Sequence, residues 1–224
     1  MMNTIETEAG PAQAYLAKPA GGSGPGVLVM HAWWGLNEAF TGVADRLAAE
    51  GFVALAPDLY QGRLAKTIDE AKALRGQLDL AKMEATARAA VSALQAQPGA
   101  DGLRDKLGAI GFSMGGEWSG LLSEWYPEAF RALVLVYGAA PADFKVARAA
   151  VQGHFAEEDE WESLDYVREM EGAMRAAGRE VTLHLYPGVG HWFFEPNRPD
   201  VYNAEASALA WERLLAFFRE KLKG

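Results

Sequence analysis

The stretch G-F-S-M-G-G at residues 111–116 constrains the fold more than any other feature of this sequence. It follows the apolar run 107–110, which is typical of a buried strand, and precedes residues 117–126, which have helical character. In a G-x-S-x-G elbow, a strained turn between strand and helix lifts the serine Oγ out of the sheet, and glycines flank the serine because larger residues would collide. The sequence therefore predicts a strand, a tight turn and a helix, with Ser113 at the turn.

Strand and helix patterns alternate along the whole chain. The strands are mostly apolar throughout, which is typical of parallel sheets whose faces are covered by crossover helices. We expect strands at residues 13–17, 27–30, 52–56, 107–110, 132–137, 149–154 and 181–186, and helices at 40–50, 67–75, 81–97, 117–126, 164–176 and 204–222. This pattern predicts an α/β fold with a mostly parallel central sheet and helices on both faces, formed as a single domain over residues 1–224.

Charge and composition exclude several classes of function. The net charge of −9 and the lack of a basic cluster argue against nucleic acids and anionic membrane surfaces. The absence of cysteine excludes disulfides, thiolate metal sites and a cysteine nucleophile. Residues 1–30 lack the pattern of a signal peptide, and no apolar run reaches membrane-spanning length. We therefore expect a cytoplasmic protein that acts on a small molecule without a cofactor; its oligomeric state is not indicated.

Ser113 requires partners, because a serine hydroxyl is a weak nucleophile until a histidine takes its proton and a carboxylate orients that histidine. In this type of sheet the chain order is serine, acid, histidine, which removes His31 and leaves three candidates. His184 lies in the middle of a predicted strand, where a structural role is expected. His154 stays open as a candidate base but is less favoured than His191. His191 lies in a G-V-G-H loop after a strand, and we expect it to be the base.

The acid is expected in the segment 157–162, where five carboxylates crowd before a predicted helix. Most of them are interpreted as solvated charge near the helix N-terminus, whose dipole favours anions. Spacing alone leaves both Glu158 and Asp159 open. The segment lacks the pattern of an EF-hand loop, so no metal site is assigned. Because parallel strands end at one edge of a sheet, this segment, Ser113 and His191 are expected to converge there.

Two backbone N–H groups are expected to stabilise an oxyanion at Ser113. One is that of Met114, the residue after the nucleophile, and the second belongs to the loop after the strand 27–30, where Trp33 is our candidate. Trp34, Trp192 and Phe193 are candidates for the walls of a substrate pocket, although packing between loop and sheet explains such aromatic residues equally well.

Four segments resemble one known family. H-A-W-W-G-L-N at residues 31–37 resembles its H-E-W-W-G-L-N loop, and residues 51–60 resemble its G-[FY]…P-D-L-Y segment. G-H-F-A-E-E-D at residues 153–159 is similar to the stretch with its catalytic aspartate, and Y-P-G-V-G-H at residues 186–191 matches its catalytic-histidine loop. The sequence thus resembles the dienelactone hydrolase family over nearly its whole length. The resemblance implies the α/β-hydrolase fold and selects Asp159 as the acid.

The sequence departs from that resemblance at three positions. The best-known members of that family carry a cysteine in the elbow and a glutamate in the first loop, whereas this chain has Ser113 and Ala32. The two changes are mutually consistent, since a serine has no thiolate to regulate. Members that cleave dienelactones hold the substrate carboxylate with arginines, and the residue corresponding to one of them is Glu195. An anionic dienelactone is therefore not the expected substrate.

We expect a carboxylesterase of the dienelactone hydrolase type, which cleaves small esters or lactones through an acyl-enzyme. Ser113 would attack, His191 would act as base and then acid, and Asp159 would orient His191. One alternative is another acyl-transfer enzyme, such as a thioesterase, peptidase or perhydrolase. The other is a non-catalytic binding protein that kept the fold, motivated by Ala32 and Glu195.

Overall fold

The structure, a computed structural model, describes residues 1–97 and 106–223. The chain divides into two compact units, Met1–Arg104 and Asp105–Gly224. The single domain predicted from the sequence remains a prediction. Within the described ranges, no helix combines the length and the apolar character needed to cross a bilayer.

The first unit contains four of the described strands and three helices. The strands are β1 (Met2–Ile5), β2 (Ala12–Ala17), β3 (Gly26–Met30) and β4 (Val53–Pro57), and the helices are α1 (Glu38–Ala49), α2 (Ile68–Arg75) and α3 (Leu80–Gln95). β2 lies between β1 and β4 and is antiparallel to both, whereas β3 is parallel to β4. Strand β1 was not predicted. It is largely exposed and is defined by backbone pairing with β2, so it carries no apolar signal.

The second unit is a parallel arrangement in the order β5-β6-β7-β8. Its strands are β5 (Leu107–Phe112), β6 (Phe130–Val136), β7 (Ala150–Ala156) and β8 (Val181–Tyr186), and its helices are α4 (Met114–Trp125), α5 (Leu164–Ala176) and α6 (Ala204–Lys223). Every residue of β5 is buried, as is nearly every residue of β6 and β7. The uninterrupted apolar runs in the sequence therefore indicated buried parallel strands correctly.

Most predicted elements lie within a few residues of the observed ones, and the largest shift is at α4. This helix begins at Met114, three residues before the predicted start at Glu117. Gly115 and Gly116 have low intrinsic helix propensity, which hid the first turn from the sequence pattern. The turn at Ser113 overrides that propensity, because the chain must enter the helix directly after the strand.

The strand register brings the loops of the second unit to one edge. Phe112 of β5 is paired with Val136 of β6, and the N–H of Ser113 donates to the Val136 carbonyl at 3.0 Å. Likewise the N–H of Tyr137 donates to the backbone carbonyl of His154 at 2.8 Å, and the N–H of Glu157 donates to the backbone carbonyl of Tyr186 at 2.9 Å. The residues that follow β5, β6, β7 and β8 thus emerge side by side.

Candidate active site

Ser113 lies in a strained turn between β5 and α4. Its φ of 51° and ψ of −117° fall outside the regions that side-chain-bearing residues favour. The surrounding glycines permit this geometry: a Cβ on Gly111 would overlap the carbonyl oxygen of Gly115, and one on Gly138 would overlap that of Ser113. Such strain costs on the order of 1–3 kcal/mol and tends to occur at functional sites.

Ser113, His191 and Asp159 form one hydrogen-bonded chain. The Ser113 hydroxyl lies 2.9 Å from His191 Nε2, and His191 Nδ1 lies 2.7 Å from Asp159 Oδ2 and 3.0 Å from Oδ1. A carboxylate only accepts, so Nδ1–H donates to Asp159 and Nε2 accepts from the serine. The His191 and Asp159 side chains are only 5% and 1% exposed. The geometry therefore fixes the histidine tautomer in which Nε2 can take a proton from Ser113.

The loop after β7 holds Asp159 in place. Its Oδ1 accepts hydrogen bonds from the backbone N–H groups of Trp161 at 2.8 Å and Glu162 at 2.9 Å. Glu158, the acid that spacing left open, is exposed, whereas Asp159 carries the bond to His191. Glu162 accepts from the N–H of Ala139 at 2.8 Å, and partial burial raises the pKa of its carboxyl. Asp159 and Glu162 are therefore held by backbone hydrogen bonds, whereas the other carboxylates of this segment are exposed to solvent.

His154 and His184 are paired on the neighbouring strands β7 and β8. His154 is fully buried in β7, where it hydrogen-bonds to the Tyr186 hydroxyl at 2.8 Å and to Gln152 Oε1 at 3.0 Å. Burial lowers the pKa of His154 well below its ordinary value. The His184 ring lies 5.3 Å from that of His154. Both imidazoles therefore pack within the sheet.

His31 joins two loops of the first unit. Its Nε2 accepts from the N–H of Leu59 at 3.2 Å, and its Nδ1 lies 2.7 Å from the carbonyl oxygen of Ala32. Both ring nitrogens are thus occupied, and burial lowers the pKa of this imidazole. Asp58 accepts from the N–H groups of Tyr60 at 3.0 Å and Gly62 at 2.6 Å. Asp58 therefore stabilises the turn that follows β4.

The remaining predicted residues are buried. Trp33 and Trp34 belong to the first unit, and their rings pack edge to face at 5.4 Å. Trp192 packs edge-on against the His191 ring at 4.8 Å, and Phe193 is fully buried. Met114 opens α4, where the helix N-terminus concentrates partial positive charge. The assigned roles of these residues in the oxyanion hole and the pocket stay predictions.

Tyr137 is a site residue that sequence reasoning missed. It follows β6 directly with a φ of 39°, and its ring centroid lies 4.9 Å from that of His191. Its hydroxyl donates to Glu195 Oε1 at 3.0 Å. One signal could have found it: Tyr137 follows its strand as Ser113 follows β5, so both belong to the same edge.

Glu195 is buried beside this tyrosine, with an exposed fraction of 1%. Desolvation raises the pKa of its carboxyl to about 8, although the Tyr137 hydrogen bond and the Arg198 charge act in the opposite direction. The second oxygen, Oε2, has no hydrogen-bond partner among the described residues. Burial therefore favours the neutral form of this carboxyl.

The described ranges contain no cluster of three or more histidine, aspartate or glutamate side chains arranged to hold a metal ion.

Comparison with known proteins gives consistent matches over most of the chain. The model of the "Dienelactone hydrolase family" matches residues 12–222. "Protein usf" of Aquifex pyrophilus is 33% identical over 223 residues, covering 94% of each chain. A relative from Aquifex aeolicus (strain VF5) named "Putative carboxymethylenebutenolidase" is 30% identical over 218 residues, again covering 94% of each chain. A solved structure from Klebsiella pneumoniae subsp. pneumoniae MGH 78578, named "Putative Dienelactone Hydrolase", has a TM-score of 0.85 at 27% identity and covers 97% of both chains.

Proposed function

The chain belongs to the dienelactone hydrolase family and has the α/β-hydrolase fold, and we propose that it is a serine hydrolase that cleaves small carboxylic esters or lactones. The observation that carries the proposal is the hydrogen-bonded chain of Ser113, His191 and Asp159. The family and the printed names of the relatives support hydrolysis of an ester or lactone, and this geometry supports serine as the nucleophile. The cytoplasmic location and a small-molecule substrate are part of the same proposal.

In the proposed reaction, the Ser113 oxygen forms a bond to the substrate carbonyl carbon while its proton moves to His191 Nε2. The tetrahedral intermediate then expels the alkoxide oxygen, which takes that proton from His191. Water repeats the sequence: its oxygen attacks the acyl carbon while one of its protons moves to His191 Nε2. The bond from the acyl carbon to the Ser113 oxygen then breaks, that oxygen takes the proton back from His191, and the carboxylic acid leaves. Asp159 stabilises the imidazolium formed in each half-reaction.

The oxyanion of that intermediate needs donors that are already oriented. The N–H of Met114 is the proposed first donor, because it lies at the N-terminus of α4, directly after the nucleophile. Trp33 remains the sequence-based candidate for the second donor.

Neutral substrates are favoured. The Glu195 carboxyl lies near His191 through Tyr137, at the position where the resemblance implies an arginine for substrate carboxylates. A second carboxylate brought close to Glu195 would gain no charge pairing from that residue and would be repelled once Glu195 ionised. We therefore propose uncharged esters or lactones as the substrate class.

Replacing Ser113 by Ala tests the proposal. We expect the variant to lose turnover of a neutral p-nitrophenyl ester by a factor of about 10⁴ or more, since the nucleophile is removed. A fluorophosphonate should form one stoichiometric adduct on Ser113 of the wild-type protein and none on the variant, measured by intact mass and peptide mapping.

Ser123→Ala is the matched control, because Ser123 is a buried serine of the same helix whose hydroxyl donates to the carbonyl of Gly120. This variant should retain both turnover and labelling. Substantial residual esterase activity in Ser113→Ala, or a wild-type protein that is folded but unlabelled, would contradict the proposal. An unlabelled protein would favour a non-catalytic binding role.

A further inference from the structure

A buried carboxyl and a buried tyrosine support the imidazole of His191 from outside the proposed triad. The Tyr137 hydroxyl donates to Glu195 Oε1 at 3.0 Å, and both side chains are buried. Burying a carboxyl is costly, and the Tyr137 hydrogen bond and the nearby Arg198 charge offset only part of that cost, because the pKa of Glu195 is still raised. Its burial beside the tyrosine that contacts His191 points to a role at the site.

The hydrogen bonds of His191 leave one motion unrestrained. Its two ring nitrogens are bonded on opposite sides, to Ser113 and Asp159, so the ring can still tip about the line that joins these two bonds. The Tyr137 ring, 4.9 Å away and inclined at 53°, and the Trp192 ring, 4.8 Å away and inclined at 89°, limit that tipping.

Tyr137 is also fixed relative to the nucleophile. Its backbone leaves β6 with a positive φ of 39°, and the next residue, Gly138, approaches the Ser113 carbonyl so closely that a Cβ would overlap it. The main chain of Tyr137 is thus packed against the elbow, while its ring contacts the base. The ring also packs against Phe112 and Phe193, and the hydroxyl at its far end donates to Glu195, which anchors that end of the side chain.

We propose that Tyr137 and Glu195 are positioning residues for the base: the Glu195 carboxyl fixes the Tyr137 hydroxyl, and the Tyr137 ring keeps the His191 imidazole aligned between Ser113 and Asp159. This inference rests on the proposed function, because it assumes that His191 is the base. Small misplacements of a catalytic group reduce rates strongly, so such a support acts on kcat more than on KM.

Three variants test the inference with a neutral p-nitrophenyl ester. Tyr137→Phe keeps the ring and removes the hydroxyl, and we expect kcat to fall about tenfold with KM changed less than about twofold. Glu195→Leu removes the acceptor and should give the same loss. Glu195→Gln keeps a neutral acceptor for the Tyr137 hydroxyl and should retain kcat within about threefold of the wild type.

The double variant Tyr137→Phe/Glu195→Leu separates positioning from general damage. If both residues act through one hydrogen bond, kcat of the double variant should fall about tenfold, as in either single variant, and not by the product of the two single effects. Losses that multiply, or a Glu195→Gln variant as slow as Glu195→Leu, would overturn the inference. Unchanged kcat in folded Tyr137→Phe or Glu195→Leu protein would do the same.

Tyr15→Phe is the matched control. Tyr15 belongs to β2 of the first unit, and its hydroxyl also donates to a carboxylate, that of Asp45, at 2.9 Å. Loss of this tyrosine–carboxylate bond should leave kcat unchanged. The rate at which fluorophosphonate labels Ser113 separates the proposed hydrolase function from the positioning role of Tyr137. Absence of labelling in the wild type rejects the proposed function. Equal labelling rates in the wild type and Tyr137→Phe reject only the positioning role.

Discussion

At the scale of the residue, burial of Glu195 makes stability depend on pH. The pKa of its carboxyl is about 8 in the folded protein, against an ordinary value of 4.5. Below about pH 4.5 the Glu195 carboxyl is protonated in both the folded and the unfolded chain, so no charge is buried on folding. Between those values the unfolded chain releases a proton that the folded chain retains. The contribution of Glu195 to stability therefore falls as the pH rises through this range.

We predict that Glu195→Gln removes this dependence. Glutamine cannot ionise and still accepts from Tyr137, so the variant should gain stability relative to the wild type as the pH rises from about 5 to about 8, by a few kcal/mol at most. Urea unfolding at several pH values measures the difference. A difference that stays constant across this range would show that the pKa of Glu195 is not raised.

At the scale of the element, the conformation of the turn at Ser113 depends on close backbone contacts more than on the helix or strand propensity of its residues. Gly111 at the end of β5 and Gly138 after β6 both lie where a Cβ would overlap a backbone carbonyl. Backbone atoms cannot rotate away as a flexible side chain can, so the only adjustment is a shift of the turn itself. The absence of a side chain at Gly111 and Gly138 is therefore required for the observed backbone conformation of Ser113.

We predict that Gly138→Ala lowers esterase activity by about 10²-fold or more, because the displaced turn moves the nucleophile out of line with His191. Gly172→Ala is the matched control: Gly172 is exposed in the interior of α5, and a Cβ there meets no atom within 4 Å. This second variant should keep full activity and gain about 0.5–1 kcal/mol in the free energy of unfolding. Full activity in folded Gly138→Ala would contradict the steric argument.

At the scale of the whole molecule, the chain length and the unbroken alternation of strands and helices predict one cooperative domain. The chain divides into two compact units of similar size, so cooperative unfolding of both units together is a testable property. Five of the seven tryptophans lie in the second unit, so intrinsic fluorescence reports mainly on that unit, whereas circular dichroism reports on the helices of both.

We predict that fluorescence and far-ultraviolet circular dichroism give the same unfolding midpoint in urea, and that calorimetry gives a single transition with equal calorimetric and van't Hoff enthalpies. The physical reason is that a chain of this size forms one hydrophobic core. Two separated transitions, or a fluorescence midpoint distinct from that of circular dichroism, would contradict the single domain.

The sequence by itself determined the features that depend on local pattern. Apolar runs and their alternation with helical segments predicted the strands of the second unit, and the glycines around Ser113 predicted the elbow. Position in the chain also favoured His191, because only this histidine lies in a loop after a predicted strand that follows the serine, and the structure places its imidazole 2.9 Å from the Ser113 hydroxyl. The choice of Asp159 over Glu158 came from the family resemblance, since spacing alone does not encode which carboxylate turns inward.

Only the tertiary structure decided the contacts that join distant parts of the chain. Tyr137 and Glu195 are separated by 58 positions, and no periodicity relates them. Their pairing arises because β6 ends beside the loop that carries His191, and burial then changes the protonation of the carboxyl. The shared reason is physical: local propensity acts over a few neighbouring residues, whereas burial and side-chain pairing depend on which strand ends the fold brings together.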